Sequence, residues 1–165
     1  MVTTHNLGLS KNQSAIQYSQ AVFQNQHNLD FVSVGCSAVA DPMVTMMDLL
    51  GHRSEIKHFK AYQDAPWFGS EVRCVVPEFT QNTRFTLDAT TLINEIKAIK
   101  KQGLEVKPII IGPISYLWFG EAKGDVNKLD LLETLLPLYA DLLKELSDAG
   151  IEWVQLDEPV LTQEI

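Results

Sequence analysis

Apolar positions along the chain fall into two alternating kinds of run. Short, nearly continuous runs are separated by longer stretches with apolar residues every three or four positions. The first kind reads as a strand covered on both faces, the second as an amphipathic helix. Leu29 to Gly35 predicts a first strand. Asp41-Pro42 then supplies an N-cap with proline at the first helical position, so a short helix runs from Met43 to Leu50 and stops at Gly51. His52 to Asp64 is polar and reads as irregular or briefly helical. Val72 to Val76, closed by Pro77, predicts the second strand. Leu87-Asp88 opens a helix whose apolar face is Leu92, Ile93, Ile96 and Ile99. Lys97, Lys100 and Lys101 lie near its C-terminus, where the helix dipole favours cations, and Gly103 ends it. Val106 to Ile111 is a third strand, apolar on both faces. Asp125 to Asp130 leads into the longest helix, Leu131 to Ala149, with a stripe of Leu131, Leu132, Leu135, Leu138, Leu142, Leu143 and Leu146. Pro137 falls inside that stripe and predicts a kink or a split, because its ring removes one backbone hydrogen bond. Gly150 terminates the helix, and Ile151 to Leu156 is the fourth strand.

Strands joined by helical crossovers run parallel. The fold class is therefore α/β, with parallel strand–helix repeats resembling roughly half of a (β/α)8 barrel. A half barrel leaves open strand edges, which call for another chain, an N-terminal cover or the remaining half. The organisation expected is a polar segment, residues 1–28, containing one weak helix around Ile16 and Ala21 to Phe23, then a partial barrel over residues 29–165.

Charge narrows the partners. The formal net charge is -8 and the pI about 4.9, so nonspecific binding to nucleic acid or anionic membranes is not expected. No apolar run approaches the ~20 residues of a membrane span, and the N-terminus has no charged-then-apolar leader, so a cytoplasmic location is expected. Cys36 and Cys74 form no C-x-x-C pair and read as buried free thiols. His52 and His58 are too far apart for a metal pair of the H-x-x-x-H kind, so no metal site is expected. No phosphate-binding glycine loop or nucleophile elbow is present.

In parallel α/β folds ligands gather where strands end. Four residues there are substrate-binding candidates. Asp157 and Glu158 follow the fourth strand and could hold a ligand's amine; the bland alternative is a loop cap and a solvated carboxylate. Glu78 follows Pro77 and could converge with Glu158, a pairing that can split acid and base roles. Trp118, with Phe119, follows the Gly112-Pro113 turn and could stack on a flat ring; burial in the core or at an interface is the alternative. Gly112-Pro113 itself reads as a tight strand-ending turn.

At Trp67-Phe68, Val76-Pro77-Glu78-Phe79, Lys107 to Pro113, Leu135-Leu136-Pro137-Leu138-Tyr139 and Glu152 to Pro159, the sequence resembles the N-terminal domain of cobalamin-independent methionine synthase. His5-Asn6-Leu7-Gly8 is similar to that family's opening residues, and Asp30 to Gly35 to its early strand. The resemblance is close from about residue 67 to 162. It implies methyl transfer from a triglutamyl 5-methyltetrahydrofolate to homocysteine, whose thiol is activated by zinc in a second, C-terminal barrel. That zinc-binding domain has no counterpart in these 165 residues, so no cofactor is expected in this chain. The family's tail-binding Arg-Glu-Leu-Lys falls on Ile16, Gln17, Tyr18 and Ser19, and a second tail-binding lysine on Pro66. Its Asn-Thr-Asn-Tyr-His-Tyr falls on Gly69 to Cys74, and its Tyr-Asp-His on Ala40-Asp41-Pro42. The resemblance therefore implies a fragment or divergent relative with no catalytic residues of its own, associating with itself or with a separate C-terminal half. The alternative is a non-catalytic binding or assembly module that oligomerises through open sheet edges.

Overall fold

The computed structural model of the chain describes residues 30–36, 41–52 and 62–163. The helix expected within residues 1–28 lies outside them. Strand β1, Val32–Gly35, is followed by helix α1, Pro42–Leu49. Asp41 caps α1: its Oδ1 accepts from the Met43 and Val44 amides at 2.9 and 3.2 Å. At the other end the His52 amide donates to the Met47 carbonyl and the Gly51 amide to the Asp48 carbonyl. Gly51 sits at φ +60, which completes a Schellman stop.

The next two strands depart from expectation. Tyr62–Trp67 (β2) and Ser70–Val75 (β3) form an antiparallel hairpin, pairing Tyr62 with Val75 and Trp67 with Ser70. Val72 to Val76 was expected as a parallel barrel strand, and Tyr62 to Asp64 as irregular. The reversal is made by Phe68-Gly69, with φ +46 and +81. Positive φ at both central residues is the type I′ hairpin turn, whose twist matches that of the flanking strands. Phe-Gly is not the usual Asn-Gly signature, so the turn was hidden in the sequence. After the hairpin, Glu78–Phe79 (β4) runs parallel to the two-residue β6, Glu121–Ala122.

Helix α2 spans Thr90–Lys100, and Asp88 accepts from the Thr90 amide at 3.1 Å. Strand β5, Val106–Ile111, follows as expected. Gly112-Pro113 opens a further helix, α3, Pro113–Phe119, where the sequence suggested only a turn. After a 3-10 turn at Lys128–Leu131, helix α4 covers Leu132–Asp148. Pro137 does not split α4. It lies on the exposed side, where the carbonyl it leaves without a partner can reach water. Leu135, Tyr139, Leu142 and Leu146 make the buried face of α4, while Leu143, expected among them, is exposed. The last strand, β7, is only Gln155–Asp157, and a 3-10 turn, Pro159–Thr162, ends the described chain.

The main sheet is parallel, in the order β1-β5-β7. The expected second strand is thus not inserted between the first and third. Registered neighbours share a face, because side chains alternate along each strand. One face is apolar: Val32, Val34, Val106, Pro108 and Ile110, all buried, with Leu156 at its rim. The helices pack there. The other face carries Ser33, Lys107, Ile109, Gln155 and Asp157, all partly exposed, and at its C-terminal end the buried Gly35 and Ile111. Strand β5, expected to be apolar and covered on both sides, is fully covered on one and, on the other, only partly covered at Lys107 and Ile109 before Ile111 is buried. A second apolar nucleus joins His52, Phe79, Phe85 and Tyr116, with the His52 ring stacked on Phe79 at 5.3 Å. His52 Nδ1 lies 2.9 Å from the Tyr116 hydroxyl, so this buried histidine belongs to the core.

Candidate functional site

The C-terminal edge of the parallel sheet is formed by the ends of β1, β5 and β7. The turns after β5 and β7 lock together. The Gly112 amide donates to the Asp157 carbonyl at 2.8 Å. The Glu158 carboxylate accepts from the Ile114 amide at 3.1 Å and the Ser115 amide at 2.7 Å. In return, Ser115 Oγ accepts from the Val160 amide at 3.2 Å. Glu158 therefore caps the first turn of α3, where free N–H groups and the helix dipole favour a negative charge. Gly112 has ordinary extended backbone, φ -70 and ψ 157, so its role is spatial. A Cβ there would fall 2.5 Å from Glu158 Cγ, and closer still to the carboxyl group.

Asp157 keeps a different arrangement. Lys107 Nζ donates to Gln155 Oε1 at 2.8 Å, and Gln155 Nε2 donates to Asp157 Oδ1 at 2.9 Å. This chain runs across the polar face of the sheet and orients the Asp157 carboxylate at its mouth. Beneath it lies Cys36, whose thiol is pushed up to about 12 by burial, with the Asp157 and Asp41 charges acting in the same direction. Burial raises Cys74 to about 12 as well. Both cysteines are buried free thiols, as expected from the sequence, and both are held protonated near neutral pH. A protonated thiol is a poor nucleophile and a poor zinc ligand, and the described residues contain no group of three His, Cys, Asp or Glu able to hold a metal ion.

Asp41 does more than cap α1. Its Oδ2 accepts from the Val75 amide at 2.7 Å, tying the helix to the hairpin. Burial raises its pKa, against the lowering effect of the Val75, Val44 and Met43 amides.

The other two candidates lie apart from this edge. Glu78 is on β4, opposite Glu121, with Lys123 Nζ 3.6 Å from Glu78 and 2.8 Å from Glu121. Glu78 is engaged by Lys123 and Glu158 by the Ile114 and Ser115 amides, and no hydrogen bond or ion pair is seen between the two glutamates among the described residues. The hairpin places Tyr62 to Val75 outside the three-stranded parallel sheet, and Glu78 follows it on the separate two-residue pairing with β6. Trp118 lies on α3, 39% exposed, and borders a groove of about 560 Å³ with Tyr62, Asp64, Phe119 and Glu121. Lys128 Nζ is 6.0 Å from the Trp118 ring and donates to the Trp118 and Gly120 carbonyls at 2.7 and 2.6 Å. It satisfies carbonyls at the C-terminal end of α3, as cations do there. Neither the Lys107–Gln155–Asp157 chain nor the α3 cap is visible in sequence spacing, since each joins residues some 44 to 48 positions apart. Proline at the first position of a helix was the one local sign of α3.

Comparisons with known proteins agree on ancestry. The chain is 43% identical over 119 residues to the 5-methyltetrahydropteroyltriglutamate–homocysteine methyltransferase of Salinibacter ruber, a match covering 72% of this chain and 15% of that protein. It is 41% identical over 106 residues to the enzyme of the same name from Actinobacillus pleuropneumoniae serotype 7, covering 64% of this chain and 14% of the other. The chain thus spans about one seventh of the length of these relatives. A solved structure of a B12-independent methionine synthase from Shewanella sp. W3-18-1, in complex with selenomethionine, superposes with a TM-score of 0.64 at 18% identity. That superposition covers 88% of this chain and 41% of that one, and shows a shared fold. The model of the family described as "Cobalamin-independent synthase, N-terminal domain" matches residues 51–165, and the chain belongs to that family.

Proposed function

We propose that this chain is a fragment or divergent relative of the N-terminal domain of cobalamin-independent methionine synthase, contributing barrel framework but no catalysis of its own. The observation that carries this reading is the use of Glu158. Its carboxylate is committed to the main chain of α3, while Glu78 is engaged by Lys123. The cysteine thiols are protonated and buried. Of the strand-end carboxylates, Asp157 alone stands oriented toward the polar face, and it is the residue suited to hold a ligand's amine. The methyl transfer in the relatives' name needs a thiolate acceptor, and zinc in a C-terminal domain would supply its activation. This chain would act beside such a domain, as the first half of a parallel barrel. The test is a methyl-transfer assay of the isolated chain with zinc, homocysteine and triglutamyl 5-methyltetrahydrofolate. Background rates are expected, and turnover above background overturns the reading.

A second reading, an assembly module, is favoured by the bare apolar side chains around β7. It expects dimers or larger species in size-exclusion chromatography with light scattering, and a stable monomer removes it.

A further inference from the structure

Asp157 and Glu158 are neighbours in sequence and are used in opposite ways. Both Glu158 oxygens are taken by the Ile114 and Ser115 amides. Asp157 Oδ1 accepts from Gln155 Nε2 at 2.9 Å, and among the described residues its Oδ2 accepts nothing. The cation on this face does not reach it. Lys107 Nζ donates to Gln155 Oε1 at 2.8 Å, and no ion pair joins Lys107 to Asp157 among the described residues. The same contact fixes the Gln155 amide. An ammonium only donates, so the amide oxygen faces Lys107 and the NH2 group faces Asp157. The face also carries Ile109, half-buried opposite Gln155, and beside it Gly35, which brings no side chain. A bare carboxylate oxygen thus stands next to a small apolar patch at the C-terminal end of the sheet. Strand ends form the mouth of a closed barrel and the rim of an open sheet alike, so the arrangement belongs to β5 and β7 themselves.

We propose that Asp157 Oδ2 is a binding subsite for the primary ammonium group of a small aliphatic amine, with Lys107 and Gln155 as positioning residues that do not touch the ligand. This rests on the functional reading above, in which Asp157 is left to hold an amine, and names the ligand chemistry. Three features select that ligand. The free oxygen is an acceptor, so it takes N–H donors and repels carboxylates. A charged donor is preferred to a neutral one, because a hydrogen bond between ionised partners is the stronger kind. A primary ammonium brings three donors to the oxygen, whereas a quaternary one brings none. Ile109 gives the alkyl body an apolar neighbour. The role of Lys107 follows from the polarity of the chain. Without its ammonium the Gln155 amide is free to turn its oxygen toward Asp157, and two acceptors then face each other.

The probe is n-propylammonium chloride, titrated into the full 165-residue chain and followed by the NMR shifts of the Asp157 and Gln155 side chains. Saturation is expected with a dissociation constant of about 1–10 mM, the range open to so small a ligand. Sodium propionate and tetramethylammonium chloride at the same ionic strength leave those signals in place. Asp157→Asn weakens binding at least tenfold. Lys107→Met weakens it at least threefold and Lys107→Arg restores it, a pattern that a merely structural lysine would not produce at unchanged urea midpoints. Glu152→Gln removes an exposed carboxylate outside the site and leaves binding within twofold. Shifts that do not saturate, an equal response to tetramethylammonium, or binding indifferent to Asp157→Asn overturns the subsite. Binding indifferent to Lys107→Met overturns the positioning role. A lysine-containing tripeptide that binds more than tenfold tighter than propylammonium assigns the site to a polypeptide and overturns the small-ligand proposal. None of these readouts involves methyl transfer. Their failure leaves the non-catalytic reading standing, and turnover by the isolated chain would sink that reading without touching the ammonium titration.

Discussion

Replacing Gly112 by alanine tests the lock between the two strand-end turns. The backbone there suits any residue, so the effect is one of space alone. The new methyl group occupies the position of the Glu158 side chain, 2.5 Å from Cγ and nearer to the carboxyl. The glutamate can swing away only by leaving the Ile114 and Ser115 amides. A helix cap is worth ~1 kcal/mol, and a hydrogen bond to a charged group roughly 1.5–3 kcal/mol. Water reaches this half-buried site and recovers part of the loss, so Gly112→Ala is expected to destabilise by about 2–4 kcal/mol. For a chain of this length that lowers Tm by roughly 5–15 °C, at about 2–4 °C per kcal/mol. Equilibrium urea unfolding followed by tryptophan fluorescence measures it. The decisive arm is a double-mutant cycle with Glu158→Ala, which removes the atoms the methyl group would strike. In that background Gly112→Ala is expected to cost under about 0.5 kcal/mol. An equal cost in both backgrounds would refute the spatial argument and release Glu158 as a ligand candidate.

Three further outcomes follow from single residues. Asp41→Ala removes the α1 cap and strands the Val75 amide, a loss of about 2–4 kcal/mol in urea unfolding. Asp41→Asn should recover less than half of it, because one side of the amide group turns a donor toward Val75. Phe68→Asn relieves a left-handed phenylalanine, a strain of roughly 1–2 kcal/mol, at a side chain half exposed at the hairpin tip; a net gain of ~0.5–1 kcal/mol is expected by thermal melting. Glu95 on α2 is raised by burial to about 7 from an ordinary 4.5, and among the described residues its Oε1 has no hydrogen-bond partner. The folded state thus holds this proton more tightly than the unfolded state. Stability from this group is full below pH 4.5 and is lost as pH rises through about 7. Partial exposure screens the penalty to roughly 1–2 kcal/mol. The Glu95→Gln variant should therefore gain on the parent by that amount between pH 5 and 8, and a pH-independent difference would refute it.

The local grammar of the chain carried much of the architecture. Asp41-Pro42 and Gly51 bound α1 because caps and stops are made by residues within one turn of the helix they serve. Val106 to Ile111 was legible as a strand because six residues, apolar save for Lys107 and ending in three isoleucines, suffice to show a covered strand. The same locality explains the failures. Phe68-Gly69 makes a hairpin turn with a phenylalanine in a conformation that costs energy, and no local propensity favours it. Once that hairpin forms, Val72 to Val75 pairs with Tyr62 to Ala65 in place of joining the parallel sheet, and Glu78 pairs in parallel with Glu121 on a separate two-residue ladder.

Amino-acid order alone determined the α/β class, the bounds of α1 and the position of β5, most of the apolar face of α4, and which family the chain descends from. Tertiary structure decided what the strand-end carboxylates do. Glu158 and the α3 amides are separated by more than forty residues, and they meet only because β5 and β7 pair in one register. Main-chain donors and acceptors are the same at every position, so no residue pattern records which distant side chain will satisfy them. Burial, pairing and open edge are properties of the assembled sheet, and they appear only when its strands are side by side.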